Sequence, residues 1–144
     1  MKILIVDDQA SARTLLKKIL QEIDRDVEFH EFKCPNEAIE WCRSNIADLI
    51  VIDYEMPEMD GLQFTRELKL SARLRDIPVI LVTVVIDDSL RVDVLESGVD
   101  DILTKPVIPR EMKAKASRLI TQHRKIQRLE AELAEIRLSK EGKP

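Results

Sequence analysis

The sequence predicts an α/β fold: a doubly wound, five-stranded parallel sheet covered by helices on both faces, with an extended helix at its C-terminal end. Two observations carry this. Short apolar runs rich in β-branched residues recur along the chain, and each is followed by a segment with apolar residues at helical spacing. Nearly uninterrupted apolar strands imply a sheet buried on both faces, and right-handed crossovers wind such a chain into a sandwich. Several of the runs also end on residues that carry chemistry rather than on turn formers.

The elements follow in order. Lys2–Val6 reads as a short buried strand. Ser11–Ile23 carries Ala12, Leu15, Leu16, Ile19, Leu20 and Ile23 on a helical apolar face. Val27, Phe29 and either Glu31 or Phe32 fit a second strand whose register stays open. Pro35–Ile46 reads as a helix opened by proline in its first turn. Leu49–Ile52 is the third strand, and Asp60–Leu70 a helix with Asp60 as its N-cap. Pro78–Val82 is the fourth strand. The helix Asp87–Glu96 is stopped by Gly98. Ile102–Thr104 is the last strand, and Pro109 starts a long helical pattern reaching about Leu138.

The bulk properties narrow the function. The chain of 144 residues suits one domain plus an appendage. A hydrophobic fraction of 44% suffices for a core, whereas 35% charged residues point to an exposed, charge-laced helix. A net charge of −4, with no basic block, argues against a nucleic-acid surface. No apolar run reaches the length of a membrane span. The first residues enter a strand directly, so no signal peptide is expected. Cys34 and Cys42 suit a reducing cytoplasm and a packing role. With three glycines and neither phosphate-binding glycine motif, nucleotide binding is not expected.

Chemistry gathers at the strand ends. Asp7 and Asp8 follow Ile3-Leu4-Ile5-Val6, and Asp53 follows Leu49-Ile50-Val51-Ile52. Thr83 ends the fourth strand and Lys105 the fifth. In a parallel sheet all five fall on one rim, where open α/β sheets bind their ligands. Three carboxylates there repel one another and need a cation to stay ionised together. Asp8 and Asp53 can each give an oxygen to Mg²⁺, a hard ion that keeps waters and accepts phosphate oxygens. Asp7 can hold a metal-bound water. The Asp53 carboxylate can act as nucleophile and form an aspartyl-phosphate. Lys105 can pair with Asp53 before reaction and with phosphate afterwards, and the Thr83 hydroxyl can donate to a phosphoryl oxygen.

At these residues the chain resembles the receiver domain of two-component response regulators, from Met1 to about Ile120. The motifs are Ile5-Val6-Asp7-Asp8, then Asp53-Tyr54-Glu55-Met56-Pro57-Glu58-Met59-Asp60-Gly61, then Val82-Thr83, and Lys105-Pro106. The resemblance implies a flavodoxin-like sheet of order 2-1-3-4-5 and a cis Lys105–Pro106 bond. It implies that Asp53 accepts a phosphoryl group from a sensor histidine kinase or phosphotransfer protein. It implies Mg²⁺ held by Asp8, Asp53 and the backbone carbonyl of Glu55, with Asp7 acting through water, and Thr83 and Lys105 reading the phosphate. The chain is then a cytoplasmic signalling receiver, not an enzyme beyond its own phosphorylation and dephosphorylation.

Three positions depart from the family pattern. Ile102 stands where an aromatic rotamer switch is usual, which puts the threonine–aromatic coupling in doubt. Val84, followed by Val85, replaces a small residue and narrows access to Asp53. Glu55 sets an acidic side chain beside the site.

The tail reads as a stalk. Leu119, Ile126 and Leu133 occupy heptad position a, and Leu129 and Ile136 position d, with Gln122 a polar break. The g-to-e′ pairs Lys125–Glu130′ and Glu132–Arg137′ are of opposite sign, which favours a parallel, in-register homodimer. The expected organisation is a receiver at 1–120, a helical extension and coiled-coil stalk at 121–138, and a flexible end or linker at 139–144, with no output domain in this chain. Two other readings stay open: a degenerate receiver that scaffolds a dimer, and an Asp-nucleophile phosphohydrolase. The second lacks the Asp usually wanted two residues after the nucleophile.

Overall fold

The computed structural model describes residues 1–84 and 86–142. Five strands, β1 (Lys2–Val6), β2 (Glu28–Phe32), β3 (Leu49–Asp53), β4 (Val79–Thr83) and β5 (Asp101–Thr104), alternate with α1 (Ala10–Leu20), α2 (Pro35–Cys42), α3 (Gly61–Lys69), α4 (Asp88–Ser97) and α5 (Pro109–Glu141). The strands form one sheet of order β2-β1-β3-β4-β5, and every pairing is parallel.

Side-chain alternation along the strands builds two cores. Leu4, Val6, Ile50, Ile52, Val79 and Leu81 face α2, α3 and α4, where Ala38, Phe64, Leu68 and Leu90 meet them. Ile3, Ile5, Leu49, Val51, Ile80 and Val82 face α1 and α5, packing on Leu16, Leu20, Met112, Ala116 and Leu119. Each strand side chain so buried contributes about 1.5–3 kcal/mol relative to exposure. The central strands β1, β3 and β4 therefore carry uninterrupted apolar runs, because they are covered on both sides.

Local chemistry sets the element ends. Asp60 caps α3 through Leu62 N–H and Gln63 N–H, and Gln63 Oε1 accepts from Asp60 N–H, a complete capping box. Asp87 caps α4 by accepting from Leu90 N–H. Gly98 ends that helix in the left-handed region, at φ 93°, where a Cβ is unfavourable. Cys42 packs in the core as expected, and burial pushes its thiol up to about 11.

Several expectations need correction. α1 stops at Leu20 rather than Ile23, and α2 at Cys42 rather than Ile46. Asn45 turns its amide back onto the Trp41 carbonyl, which satisfies the helix end and draws the chain out of the helix. Leu15 is 51% exposed and does not join the core face of α1. In β2, Val27 falls before the strand, and Glu31 lies outside the apolar set. Glu31 is held by Arg13 at 3.3 Å and Lys17 at 2.9 Å, a use open to a half-exposed edge strand. Leu119 is buried against the receiver, so it is not available to the heptad seam. α5 runs to Glu141, beyond Leu138.

Candidate functional site

The parallel sheet delivers the strand-end residues to one rim. Asp7 and Asp8 follow β1, Asp53 closes β3, Thr83 closes β4 and Lys105 follows β5. Carboxylate oxygens of Asp7, Asp8 and Asp53 all lie within 4.8 Å of one another. Asp7 and Asp53 are buried whereas Asp8 is exposed. Lys105 Nζ sits 3.0 Å from Asp53 Oδ1. Asp8, Gln9, Asp53, Glu55, Thr83, Val84 and Lys105 line a shallow depression of about 280 Å³.

Each side chain is held by its backbone. Asp7 N–H donates to the Phe32 carbonyl, which ties the end of β1 to β2. Gln9 N–H donates to Asp7 Oδ1 at 2.9 Å and fixes that carboxylate. Arg13 Nη1 donates to the Asp7 carbonyl at 2.7 Å. Tyr54 N–H donates to the Val82 carbonyl, and Gly61 N–H to the Tyr54 carbonyl at 3.0 Å, so the loop after Asp53 closes on the start of α3. Gly61 is required there: a Cβ would lie 2.5 Å from Leu81 Cδ1 and 2.8 Å from the Asp53 carbonyl oxygen. Lys105 N–H donates to the Thr83 carbonyl at 2.8 Å, and the Lys105–Pro106 bond is cis.

The electrostatics follow from burial and crowding. Burial raises Asp53 above the usual carboxylate range, Lys105 pulls it back, and Asp8 raises it further. Burial likewise raises Asp7; the Gln9 N–H opposes this, and the Asp53 charge adds to it. Among the described residues, these three carboxylates thus face one nearby ammonium, that of Lys105. A hard divalent cation with carboxylate and carbonyl oxygens as ligands fits this excess of negative charge.

Every residue expected at the site reaches this rim, with Glu55 contributing its place in the lining and an exposed side chain. Val84 is 60% exposed and forms part of the rim, and Val85 lies outside the described residues. Ile102 is half-buried against the core on the α4 side. The supporting contacts of Gln9 and Arg13 were not anticipated. Each pairs a main-chain atom with a side chain, the Gln9 N–H with the Asp7 carboxylate and the Arg13 guanidinium with the Asp7 carbonyl, and the main-chain half of such a pair leaves no mark in residue type.

Comparison with known proteins agrees with this geometry. The family described as "Response regulator receiver domain" matches residues 3–117. The chain is 45% identical over 120 residues to the cyclic di-GMP phosphodiesterase response regulator RpfG of Xanthomonas campestris pv. campestris (strain 8004), covering 83% of this chain and 32% of that protein. It is 32% identical over 110 residues to the response regulator UvrY of Escherichia coli (strain K12), covering 76% of this chain and 50% of that one. The chain thus spans a third to a half of these relatives. Among solved structures, the signal receiver domain of a signal transduction histidine kinase from Syntrophus aciditrophicus superposes with a TM-score of 0.76 at 37% identity, over 84% of this chain and 90% of that one. Fold, rim and sequence agree: this chain belongs to the response regulator receiver domain family.

Proposed function

We propose that the chain is a phosphoacceptor receiver that takes a phosphoryl group on Asp53 from a histidine kinase or a phosphotransfer protein and switches the state of what its last helix carries. The observation that supports this most is the cluster itself: Asp53 beside Asp7 and Asp8, with Lys105 Nζ at 3.0 Å.

The chemistry follows from the side chains. An Asp53 carboxylate oxygen attacks the phosphorus of a phosphohistidine donor; the new P–O bond forms as the P–N bond breaks, and the departing imidazole nitrogen keeps the electron pair and takes up a proton. Lys105 is placed to leave its pairing with Asp53 for the phosphoryl oxygens. Thr83 lines the same depression, and its hydroxyl can donate to another of those oxygens. Mg²⁺ held by Asp8, Asp53 and the Glu55 carbonyl, with Asp7 through water, would supply neutralising charge for the phosphoryl oxygens. Val84 on the rim restricts approach to Asp53 and slows transfer or water attack.

Phosphate on Asp53 adds charge and biases a two-state equilibrium. With Ile102 in place of an aromatic switch, the change travels through the β4–α4 loop, α4 and β5 to α5. The receiver is 1–120, and the helix beyond it is a stalk toward an output unit. RpfG is named as a phosphodiesterase response regulator, and an output of that kind, in the cytoplasm, is our reading for the stalk's far end.

The test is intact mass after incubation with Mg²⁺ and acetyl phosphate, beside Asp53→Asn. One added phosphoryl group, absent from the variant, is expected. No addition with any small or protein donor would leave a receiver fold that serves as a scaffold.

A further inference from the structure

Two of the carboxylates gathered at the rim lie on one short stretch, Asp7-Asp8-Gln9, between the end of β1 and the start of α1. Asp7 is buried and Asp8 exposed. Their mutual placement depends on the plane of the peptide group that joins them. Bonds from several directions hold this stretch. Asp7 N–H donates to the Phe32 carbonyl of β2 at 3.0 Å. Gln9 N–H donates to Asp7 Oδ1 at 2.9 Å. The carbonyl of Asp7, which belongs to the Asp7–Asp8 peptide, accepts from Arg13 Nη1 at 2.7 Å.

Arg13 is itself braced. It stands one turn into α1, where a Cβ points back toward the helix start, and its main-chain N–H donates to the Gln9 carbonyl at 3.2 Å. Gln9, the N-cap, makes no side-chain cap bond, so Arg13 anchors this helix start through both its main chain and its side chain. Arg13 Nε donates to Glu31 Oε1 of the edge strand β2 at 3.3 Å, and Lys17 Nζ lies 2.9 Å from Glu31 Oε2. Lys17, with Arg13 adding to it, holds the Glu31 carboxyl below the usual carboxylate range. The planar fork of an arginine suits two acceptors at once, here one carbonyl and one carboxylate. The Arg13 side chain is only 16% exposed. Its bond goes to the Asp7 carbonyl, so what it gives the site is orientation.

We propose that Arg13, braced by Glu31 and Lys17, is a positioning residue for the cation site: it fixes the peptide that joins Asp7 to Asp8, so that affinity for Mg²⁺ depends on an ion-pair set between α1 and the edge strand β2. The proposal rests on the reading of the rim as a Mg²⁺-dependent phosphoacceptor site. Without the clamp the cation must itself order the Asp7–Asp8 peptide on binding, and that ordering is subtracted from its affinity. Groups that orient metal ligands from behind are worth about 10–100-fold in metal affinity.

The test is Mg²⁺ titration of the full chain by calorimetry, with metal-free melting curves and acetyl phosphate labelling of Asp53 recorded in parallel. Arg13→Gln should raise the dissociation constant for Mg²⁺ about tenfold or more. Glu31→Gln leaves Arg13 on the carbonyl but takes the charge from its brace, and should raise the constant by a smaller factor. Arg13→Lys keeps the charge without the fork and should recover only part of the loss; full recovery would make charge the contribution and overturn the proposal. Ile19→Val thins the buried packing of α1 away from the clamp, and should lower Tm with the Mg²⁺ constant unchanged. If Arg13→Gln likewise melts earlier yet binds Mg²⁺ as the wild type does, Arg13 serves the fold alone and the proposal falls. Labelling of Arg13→Gln should be slowed more at low Mg²⁺ than at high. A deficit equal at every concentration would place Arg13 in the transfer step itself, which also overturns the positioning role. A wild-type chain that binds no Mg²⁺ overturns the metal site and the proposal together. Mg²⁺ binding that depends on Arg13, with no phosphoryl gain at Asp53, would sink the phosphoacceptor reading alone.

Discussion

Lys105 Nζ reaches to 3.0 Å from Asp53 Oδ1 although β4 lies between their two strands. The lysine arches over the end of β4, where Thr83 sits, so one side chain spans the three strands that form this half of the rim. Asp53 is nearly buried, whereas Lys105 is a third exposed. The carboxylate thus depends on the pair more than the lysine does.

Lys105→Gln should keep the fold and the acidic cluster but leave Asp53 without its ammonium partner. Labelling by acetyl phosphate should slow by roughly tenfold or more, since a fixed cation beside developing charge is among the larger catalytic contributions. Mg²⁺ binding, followed by titration of intrinsic Trp or Tyr fluorescence or by calorimetry, should persist. Unchanged labelling would remove Lys105 from the chemistry.

Asp7 and Asp53 set the pH response. Both are raised, chiefly by burial. A raised group binds its proton more readily in the folded chain than in the unfolded one. Their contribution to the metal-free fold is therefore fully present below the ordinary carboxylate pKa of about 4 and is lost as pH rises through their raised values. A bound cation needs the ionised forms, so its effect has the opposite sign. Melting curves between about pH 5 and 8 should show a Mg²⁺-induced rise in Tm that shrinks on acidification. A rise of constant size across that range would contradict a site built on these two carboxylates.

Gly61→Ala should disturb the site from below. The added methyl meets Leu81 and the Asp53 carbonyl oxygen, and relieving the second contact requires backbone movement. A loss of about 1–3 kcal/mol is expected, read as a lower urea midpoint. Asp53 labelling should slow as well, because the displaced atom belongs to the phosphoacceptor itself.

Asp60→Ala removes the α3 capping box and should lower stability by about 1 kcal/mol. Asp60→Asn should restore most of it, since an amide oxygen can accept the same two N–H groups. Equal loss in both variants would show that charge near the helix start, rather than the cap, is what Asp60 contributes.

Strand and site positions were legible because they rest on local rules. Ile3–Val6, Leu49–Ile52 and Val79–Val82 are apolar without interruption, and that pattern survives only where a strand is covered on both faces. Asp60 and Gly98 announced a helix start and a helix end. Edges were harder to read. β2 alternates weakly because it is half-exposed, and its Glu31 belongs to an ion-pair set with Arg13 and Lys17. Leu15 reads as core by spacing, yet it is left half-exposed.

The sequence by itself determined the alternation of strands and helices, the residue types at the strand ends and the heptad spacing of the tail, because periodicity and turn chemistry act over a few residues. Only the tertiary structure decided that the Asp7, Asp8 and Asp53 carboxylates lie within 4.8 Å of one another and that Lys105 crosses β4 to meet Asp53. It also decided that Leu119 belongs to the receiver core while Ile126 is left outward. Those outcomes depend on which strands become neighbours and which stripe of a helix the sheet covers, and both are settled by long-range packing.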